Sequence, residues 1–254
     1  MATTSYDETV RIWDTKGNIV NIIDAHHQSV NDAVFSPDDN YVVSVSNDST
    51  IVITNLTTGE NTLSQGHSSE VTSISFSPDG NCFATGGNDR KVVIHNISGE
   101  IIRTFIGHNG KINSVSFSPD GNYVVSASTD KSAVLWDKFG NIQYTFRGYG
   151  NIVNSAEFSP DGRYIVTTSD DGNASLWTPD GKDIIKFKHE GCVSSATFSP
   201  DGKYLLTTYR NSKGTRTIKV IMLDAEGINR HVDKFDLYGP VWMPDSATAT
   251  KYGM

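Results

Sequence analysis

Cysteine is scarce in this sequence. The 254 residues contain two cysteines, Cys82 and Cys192, which lie 110 positions apart. Two are too few for the disulfide framework that stabilises small secreted domains. We therefore expect two small, buried thiols in a protein that folds in a reducing compartment.

Positive charge is also scarce. Lysine and arginine number 21 against 29 aspartates and glutamates, which gives a formal net charge of -8. A protein that binds nucleic acid usually presents a basic surface to the phosphates. We therefore do not expect nucleic acid to be a partner.

Long apolar runs are missing as well. No segment approaches the roughly 18 consecutive apolar residues of a membrane-spanning helix. Residues 1–10 lack the basic and apolar regions of a signal peptide. We therefore expect no membrane interaction and a cytoplasmic location.

The motifs of common catalytic sites are absent too. The sequence has no G-x-x-x-x-G-K-[ST] phosphate loop, no G-x-S-x-G nucleophile elbow, and neither C-x-x-C nor H-E-x-x-H. His26 and His27 are adjacent, which is not the spacing of metal ligands on a helix. We expect no enzymatic activity, no cofactor and no metal site.

A repeated pentapeptide dominates the sequence that remains. Phe-Ser-Pro-Asp-Gly, with one Phe-Ser-Pro-Asp-Asp variant, recurs at intervals of 41, 41, 41 and 40 residues. The five copies occupy 35–39, 76–80, 117–121, 158–162 and 198–202. A weaker echo, Trp-Met-Pro-Asp, begins at Trp242, 44 residues after the last full copy. A fixed period of this length indicates a repeat architecture.

Each repeat predicts four short antiparallel strands. In the third full repeat an alternating strand at 112–117 leads into Ser-Pro-Asp-Gly, where proline and glycine occupy favoured positions of a type I turn. Further strands are predicted at 122–128, 132–137 and 141–146, separated by polar turns. No repeated segment has the period of a helix. Four strands in about 40 residues are typical of a propeller blade, so we predict an all-β fold.

Two dipeptides connect the repeats with a known family. Trp13-Asp14 and Trp136-Asp137 close the third predicted strand, and Gly66-His67 and Gly107-His108 precede the first. With these dipeptides the sequence resembles the WD-repeat β-propeller family over nearly its whole length. The resemblance implies a β-propeller of four-stranded antiparallel blades and does not identify a partner.

The resemblance also implies a buried hydrogen-bonded set in each blade, made of aspartate, histidine, a strand hydroxyl and tryptophan. The aspartate positions carry Asp7, Asp48, Asp89, Asp130 and Asp171. The histidine positions carry His26, His67, His108, Tyr149 and His189. The tryptophan positions carry Trp13, Thr54, His95, Trp136 and Trp177. One blade keeps the full set, namely His108, Asp130, Trp136 and either Ser126 or Ser128. A catalytic triad is the alternative, but recurrence in several blades favours a structural role.

We expect residues 1–254 to form one propeller domain. Full repeats are predicted at about 29–69, 70–110, 111–151, 152–191 and 192–235, with part-blades at 1–28 and 236–254. The part-blades would join in a closed six-bladed ring. However, 1–6 and 249–254 correspond to the same second strand, so one copy is surplus. The alternative, which the overlap favours, is a fragment of a seven-bladed or longer propeller.

Propellers of this family tend to bind partners on the face that carries the loops between fourth and first strands and between second and third strands. We predict this face to contain Tyr6, Ser29, Asn31, Asn47, Glu70, Thr72, Asn88, Lys111, Asn113, Thr129, Ile152, Asn154, Asp170, Arg210, Lys213 and Arg216. Most of these positions vary while the surrounding frame repeats. Such variation suits an adaptable binding surface, although a solvated rim would vary too.

The last full repeat departs from the others at this face. Arg210, Lys213, Arg216 and Lys219 place four positive charges within ten residues, without an acidic residue among them. Asn211 stands roughly where the turn aspartate is expected. The segment is either a solvated loop insertion, which is the simpler interpretation, or a dock for an acidic partner segment or a phosphate.

The sequence therefore predicts a non-catalytic scaffold that binds partner proteins or peptides. The alternative is a sensor or regulatory propeller module of a larger multidomain protein, whose enzymatic domain lies outside this chain and acts as an intramolecular partner. A propeller enzyme is the least favoured hypothesis, because chemistry needs one site of unique residues and the repeats show similar small polar ones.

Overall fold

The structure is a computed structural model. It describes residues 1–223 and the backbone of 229–236. All regular secondary structure in these residues is β-strand, which confirms the predicted all-β fold. No helix that could span a membrane is found among them.

The strands form six antiparallel sheets, each a meander in which chain neighbours are hydrogen-bonded. Each sheet is one blade, and the blades are numbered 1 to 6 in chain order. Blade 1 has three strands: β1 (Ala2–Thr4), β2 (Thr9–Trp13) and β3 (Ile19–Asp24). Blade 2 consists of β4 (Val30–Phe35), β5 (Tyr41–Ser46), β6 (Thr50–Asn55) and β7 (Asn61–Gln65). Blade 3 consists of β8 (Val71–Phe76), β9 (Cys82–Gly87), β10 (Lys91–Asn96) and β11 (Ile101–Ile106).

The remaining three blades have the same order of strands. Blade 4 consists of β12 (Ile112–Phe117), β13 (Tyr123–Ser128), β14 (Ala133–Asp137) and β15 (Ile142–Phe146). Blade 5 consists of β16 (Val153–Phe158), β17 (Ile165–Ser169), β18 (Asn173–Trp177) and β19 (Asp183–Lys188). Blade 6 consists of β20 (Gly191–Phe198), β21 (Tyr204–Asn211), β22 (Arg216–Leu223) and β23 (Asn229–Asp236).

Consecutive blades pack face to face. The first strands β4, β8, β12, β16 and β20 lie next to one another and form the inner edge of the stack. Within residues 1–223 and 229–236 the ring is not closed, because blade 1 has three strands and no described strand of blade 6 pairs with it. Beyond Asp236, the predicted part-blade 236–254 and its Trp242 motif lie outside the described residues.

The hydrophobic core is divided into five layers, one between each pair of neighbouring blades. In the layer between blades 4 and 5, Phe146 and Ile165 are fully buried and pack with Trp177. Both faces of a blade are covered, so middle strands such as β13 are apolar or small at almost every position rather than at alternate ones. Each large buried side chain stabilises the stack by about 1.5–3 kcal/mol.

The Ser-Pro-Asp-Gly turns join the first and second strands of each full blade. In blade 4 the Ser118 hydroxyl donates to Asp120 Oδ1 at 2.6 Å and accepts the Tyr123 amide at 2.9 Å. Gly121 closes the turn with φ +71°, a conformation in which a Cβ atom is strained. Blade 2 has Asp39 in the equivalent position with φ +58°, where aspartate is tolerated better than most residues.

The two cysteines are not both buried. Cys82 is partly buried and Cys192 is exposed, and both thiols are free. The prediction of two buried thiols was therefore wrong for Cys192. Val193, the next residue on the strand, is fully buried. Because successive side chains of a strand point to opposite faces, Cys192 lies on the uncovered face.

Replacing the turn glycine should destabilise the blade through backbone strain alone. We expect Gly121→Ala to lower the free energy of unfolding by about 1–2 kcal/mol, because alanine pays for the left-handed conformation. A steric clash is not involved, since the added Cβ would meet the Pro78 ring at an ordinary 3.5 Å. Urea denaturation measures the change, and the reciprocal Asp39→Gly should raise stability slightly. Equal stability of Gly121→Ala and wild type would contradict the role of the glycine.

Candidate binding face

The meander of each blade places two sets of loops at the same end. These loops join the second strand to the third, and the fourth strand to the first strand of the next blade; we call this end the loop face. Main-chain hydrogen bonds of 2.8–3.1 Å bring the predicted face positions together in pairs. The amides of Asn47, Asn88, Thr129 and Asp170 donate to the carbonyls of Ser29, Glu70, Lys111 and Ile152, respectively.

The predicted face residues differ in their exposure. Tyr6 is 91% exposed, which is unusual for a large aromatic side chain. The other exposed members are Asn31, Glu70, Lys111, Arg210, Lys213 and Arg216. The half-buried members are Ser29, Asn47, Thr72, Asn88, Asn113, Thr129, Ile152, Asn154 and Asp170.

Four of these residues connect neighbouring blades. The side-chain amides of Asn31, Asn113 and Asn154 donate to main-chain carbonyls of the next blade at 2.7–2.8 Å. Thr72 makes the same connection through its hydroxyl at 2.6 Å. The acceptors are the carbonyls of Val71, Val153, Val193 and Ile112, in that order. The sequence did carry a signal of this structural role, because a small polar residue recurs there every 41 positions.

Acidic side chains make further connections between blades that no repeated sequence pattern indicates. Asp32 Oδ2 on β4 accepts the Ile74 amide of blade 3 at 3.1 Å. Glu157 Oε1 on β16 accepts the Thr197 hydroxyl of blade 6 at 3.0 Å. Burial raises the pKa of both carboxyls, although these hydrogen bonds partly offset it.

In blades 2 to 5 the turn aspartates fix the loop that enters the blade. Asp130 accepts the Asn109 amide at 2.9 Å and the Nδ1 proton of His108 at 2.8 Å. Burial alone would raise the pKa of Asp130, but hydrogen bonds from Ser132, Asn109 and His108 outweigh it and hold the pKa below its usual value. Asp48, Asp89 and Asp171 accept a loop amide in the same way. The backbone of the loop face is therefore held by hydrogen bonds to the turn aspartates.

The structure brings the predicted hydrogen-bonded set of blade 4 together. With His108 Nδ1 protonated towards Asp130, His108 Nε2 accepts the Ser126 hydroxyl at 2.8 Å. Trp136 Nε1 in turn donates to Ser126 Oγ at 2.8 Å. The strand hydroxyl of the set is therefore Ser126, whereas Ser128 Oγ accepts the amide of Asp130. Ser126 is 0% exposed, so a substrate has no access to its oxygen.

Blade 5 shows how the set tolerates a substitution. Tyr149, at the histidine position, shares a hydrogen bond of 2.8 Å with the Thr167 hydroxyl, which also accepts Trp177 Nε1 at 2.8 Å. Burial raises the pKa of the Tyr149 phenol. Asp171 holds the loop through the Gly150 amide instead of through a ring. The strand hydroxyl is thus the constant centre of the set.

Blade 3 contains two buried histidines around one hydroxyl. Thr85 Oγ1 lies 2.9 Å from His67 Nε2 and 3.2 Å from His95 Nε2. His95 occupies the tryptophan position, is 0% exposed and stacks on Phe83 with ring centroids 5.0 Å apart. Burial, with a smaller contribution from the charge of His67, lowers the pKa of His95 to about 4.

Blade 6 lacks the acidic member of the set. Asn211 Oδ1 accepts the amides of Lys213 and Thr215 at 3.0 Å and so closes the β21–β22 turn. His189 Nδ1 donates to the Phe187 carbonyl, while its Nε2 keeps the contact with the Thr207 hydroxyl. The four-residue set is therefore incomplete in this blade.

Comparison with known families agrees with this geometry. The family described as "WD domain, G-beta repeat" (WD40) matches residues 17–55, 59–96, 99–137, 140–178 and 181–220. These five matches cover most of the chain. The protein belongs to the WD40 family.

Two curated fungal proteins share a shorter stretch of sequence. "Nuclear distribution protein PAC1" of Gibberella zeae is 41% identical over 51 residues. "Nuclear distribution protein nudF 2" of Talaromyces marneffei is 35% identical over 51 residues. Each match covers 20% of this chain and 11% of the relative.

The described part of the chain offers no group of three or more histidine, cysteine, aspartate or glutamate side chains that could hold a metal ion. The histidine–aspartate pairs are instead parts of the hydrogen-bonded sets described above.

Removing the central hydroxyl of blade 4 should be costly. In Ser126→Ala the Trp136 N–H loses its acceptor and His108 Nε2 loses its donor, so we expect a loss of about 2–4 kcal/mol in unfolding free energy. Ser116→Ala is the control, because Ser116 is half-buried and makes one 3.3 Å hydrogen bond; its loss should be about 0.5 kcal/mol. Urea denaturation compares the two, and similar losses would refute the central role of Ser126.

The free energy of unfolding should decrease as the pH is lowered, because protonation of buried histidines favours the unfolded state. The pKa of His95 is about 4 in the folded chain against an ordinary 6.5, so the unfolded state binds more protons between these values. The unfolding free energy should therefore fall as the pH drops through 6.5. Between pH 7.5 and 5, His95 alone accounts for up to about 2 kcal/mol.

Urea denaturation at several pH values tests this contribution. His95→Gln, which keeps a polar group beside Thr85, should reduce the pH dependence. The exposed His27 provides the control, since His27→Gln should leave the dependence unchanged. An unchanged slope in His95→Gln would rule the contribution out.

Proposed function

We propose that this protein is a non-catalytic scaffold that binds protein or peptide partners on its loop face. The observation that carries the proposal is a division between repeated and variable positions. The repeated polar residues make hydrogen bonds within and between blades, whereas the exposed residues of the loop face differ from blade to blade. A rigid frame with a variable surface is suited to recognising a partner.

Tyr6 is the strongest candidate for a central contact. Tyrosine is enriched among residues that dominate binding energy at protein interfaces. A side chain that is 91% exposed brings a large apolar area to such an interface. Glu70 and Lys111 add exposed charges of opposite sign at the loops of blades 3 and 4. These charges favour a partner with polar contacts around an apolar centre.

The absence of catalysis in the proposal has its own support. The His-Asp-Ser arrangement of blade 4 has its hydroxyl buried and engaged by Trp136. Similar arrangements recur in neighbouring blades, as a structural element would. The free thiols of Cys82 and Cys192 support a reducing location, which we propose is the cytoplasm.

The test is quantitative affinity capture with a face variant. Tyr6→Ala/Glu70→Ala/Lys111→Ala removes exposed side chains and leaves the blade-connecting asparagines intact. We expect it to lose the specific partners of wild type while its thermal unfolding is unchanged, because none of the three substitutions creates a buried cavity.

A matched variant at the opposite end of the blades is the control. Lys16→Ala/Glu60→Ala/Phe139→Ala removes a lysine, an acid and an exposed aromatic residue from turns between third and fourth strands. It should keep the wild-type partners. If the face variant retains every partner, or if both variants lose the same ones, the loop face is not the binding surface.

A further inference from the structure

Blade 6 carries a hairpin that is longer than its counterparts. Strands β21 and β22 have eight residues each, whereas the second and third strands of blades 2 to 5 have five or six. The extension lies at the loop face, because it joins a second strand to a third. Arg210, Lys213 and Arg216 stand at its tip, and all three are exposed.

The two arginines face each other across the hairpin. Arg210 is the direct ladder partner of Arg216. Like charges in directly opposite positions of an antiparallel pair are destabilising. In the described part of the chain, no ion pair involves either arginine or Lys213. Among the described residues, the tip therefore holds three positive charges without an ion-pair partner.

The missing turn aspartate explains the excess of positive charge at the hairpin tip. In blade 3 the carboxylate of Asp89 lies 4.0 Å from Lys91, and in blade 1 Asp7 pairs with Arg11. Blade 6 has the neutral Asn211 at the tip, and its amide oxygen is occupied by two main-chain amides. Lys219 is not part of the cluster, since its ammonium group donates to the Lys188 carbonyl.

We propose that the hairpin tip binds an acidic segment of a partner protein, which deepens and rests on the proposed function. Directly opposite side chains lie about 5 Å apart at Cβ, so two guanidinium groups can hold one carboxylate or phosphate between them. Lys213 adds a third donor at the turn. The net charge of -8 opposes a long polyanion, so a short acidic stretch fits better than nucleic acid.

Fluorescence anisotropy with the intact chain tests the proposal. The probes are labelled octapeptides of glutamate, of alternating glycine and phosphoserine, and of glutamine, together with a single-stranded octanucleotide. Wild type should bind one or both acidic peptides, and the neutral peptide at least tenfold more weakly. Glutamate and phosphoserine probes distinguish carboxylate from phosphate as the preferred anion.

Two triple variants separate local binding from overall charge. Arg210→Gln/Lys213→Gln/Arg216→Gln should weaken binding of the acidic peptide at least tenfold. It should also unfold at the same temperature as wild type or higher, because the opposed arginines are gone. Lys16→Gln/Arg103→Gln/Lys138→Gln removes the same charge from exposed positions elsewhere and should bind like wild type.

Four results would overturn the proposal: no binding of either acidic peptide, equal binding of the neutral peptide, equal weakening by both triple variants, or tighter binding of the oligonucleotide. The hairpin variant is also taken through the affinity capture described above. If wild type does not bind acidic peptides while the Tyr6 variant still loses its partners, the hairpin proposal fails and the scaffold function stands. If acidic peptides bind but neither the Tyr6 variant nor the hairpin variant loses a partner, the loop-face function fails by itself.

Discussion

In blades 2 to 5 the structure of the loop face depends on one hydrogen bond, from a loop amide to the carboxylate of the turn aspartate. The loop between two blades has no strand partner of its own, so its backbone amide takes a side-chain oxygen as acceptor. Asp130 supplies the acceptor for Asn109 while it also orients His108. Because the ring then reaches Ser126, a surface loop is connected through two side chains to the middle of the blade.

This arrangement divides the polar residues of the loop face into two groups. Asn113 and its equivalents satisfy carbonyls of the next blade, so they join blades rather than remain available to a partner. Side chains such as Tyr6 and Lys111 have no comparable internal task and are exposed. The rigid frame therefore reduces the loss of conformational entropy on binding, because the loop backbones are already ordered before a partner binds.

The fold could be predicted from the sequence because its signals are local. Alternating strands and the Ser-Pro-Asp-Gly turn report on neighbouring residues, and the 41-residue period shows that the same local unit recurs. The recurrence of Asn113 and its equivalents indicates a structural role, but the sequence does not show which carbonyl each amide reaches. The contact of Asp32 with the next blade was recognised only with the structure. Cys192 shows the same limit, because its exposure depends on which face of β20 the neighbouring blade covers.

Blade 6 lacks the turn carboxylate, and its structure therefore shows what that carboxylate does in the other blades. With Asn211 at the tip, His189 turns its Nδ1 proton to a main-chain carbonyl instead of an acid. The same change removes the negative charge that offsets a basic residue beside the turn in blades 1 and 3. Opposed arginines in a hairpin cost stability, and a frame that holds five neighbouring blades in register can bear that cost. The residue at the turn-aspartate position therefore has two effects. It decides whether the hydrogen-bonded set of the blade is complete, and it decides the charge of the adjacent turn on the loop face.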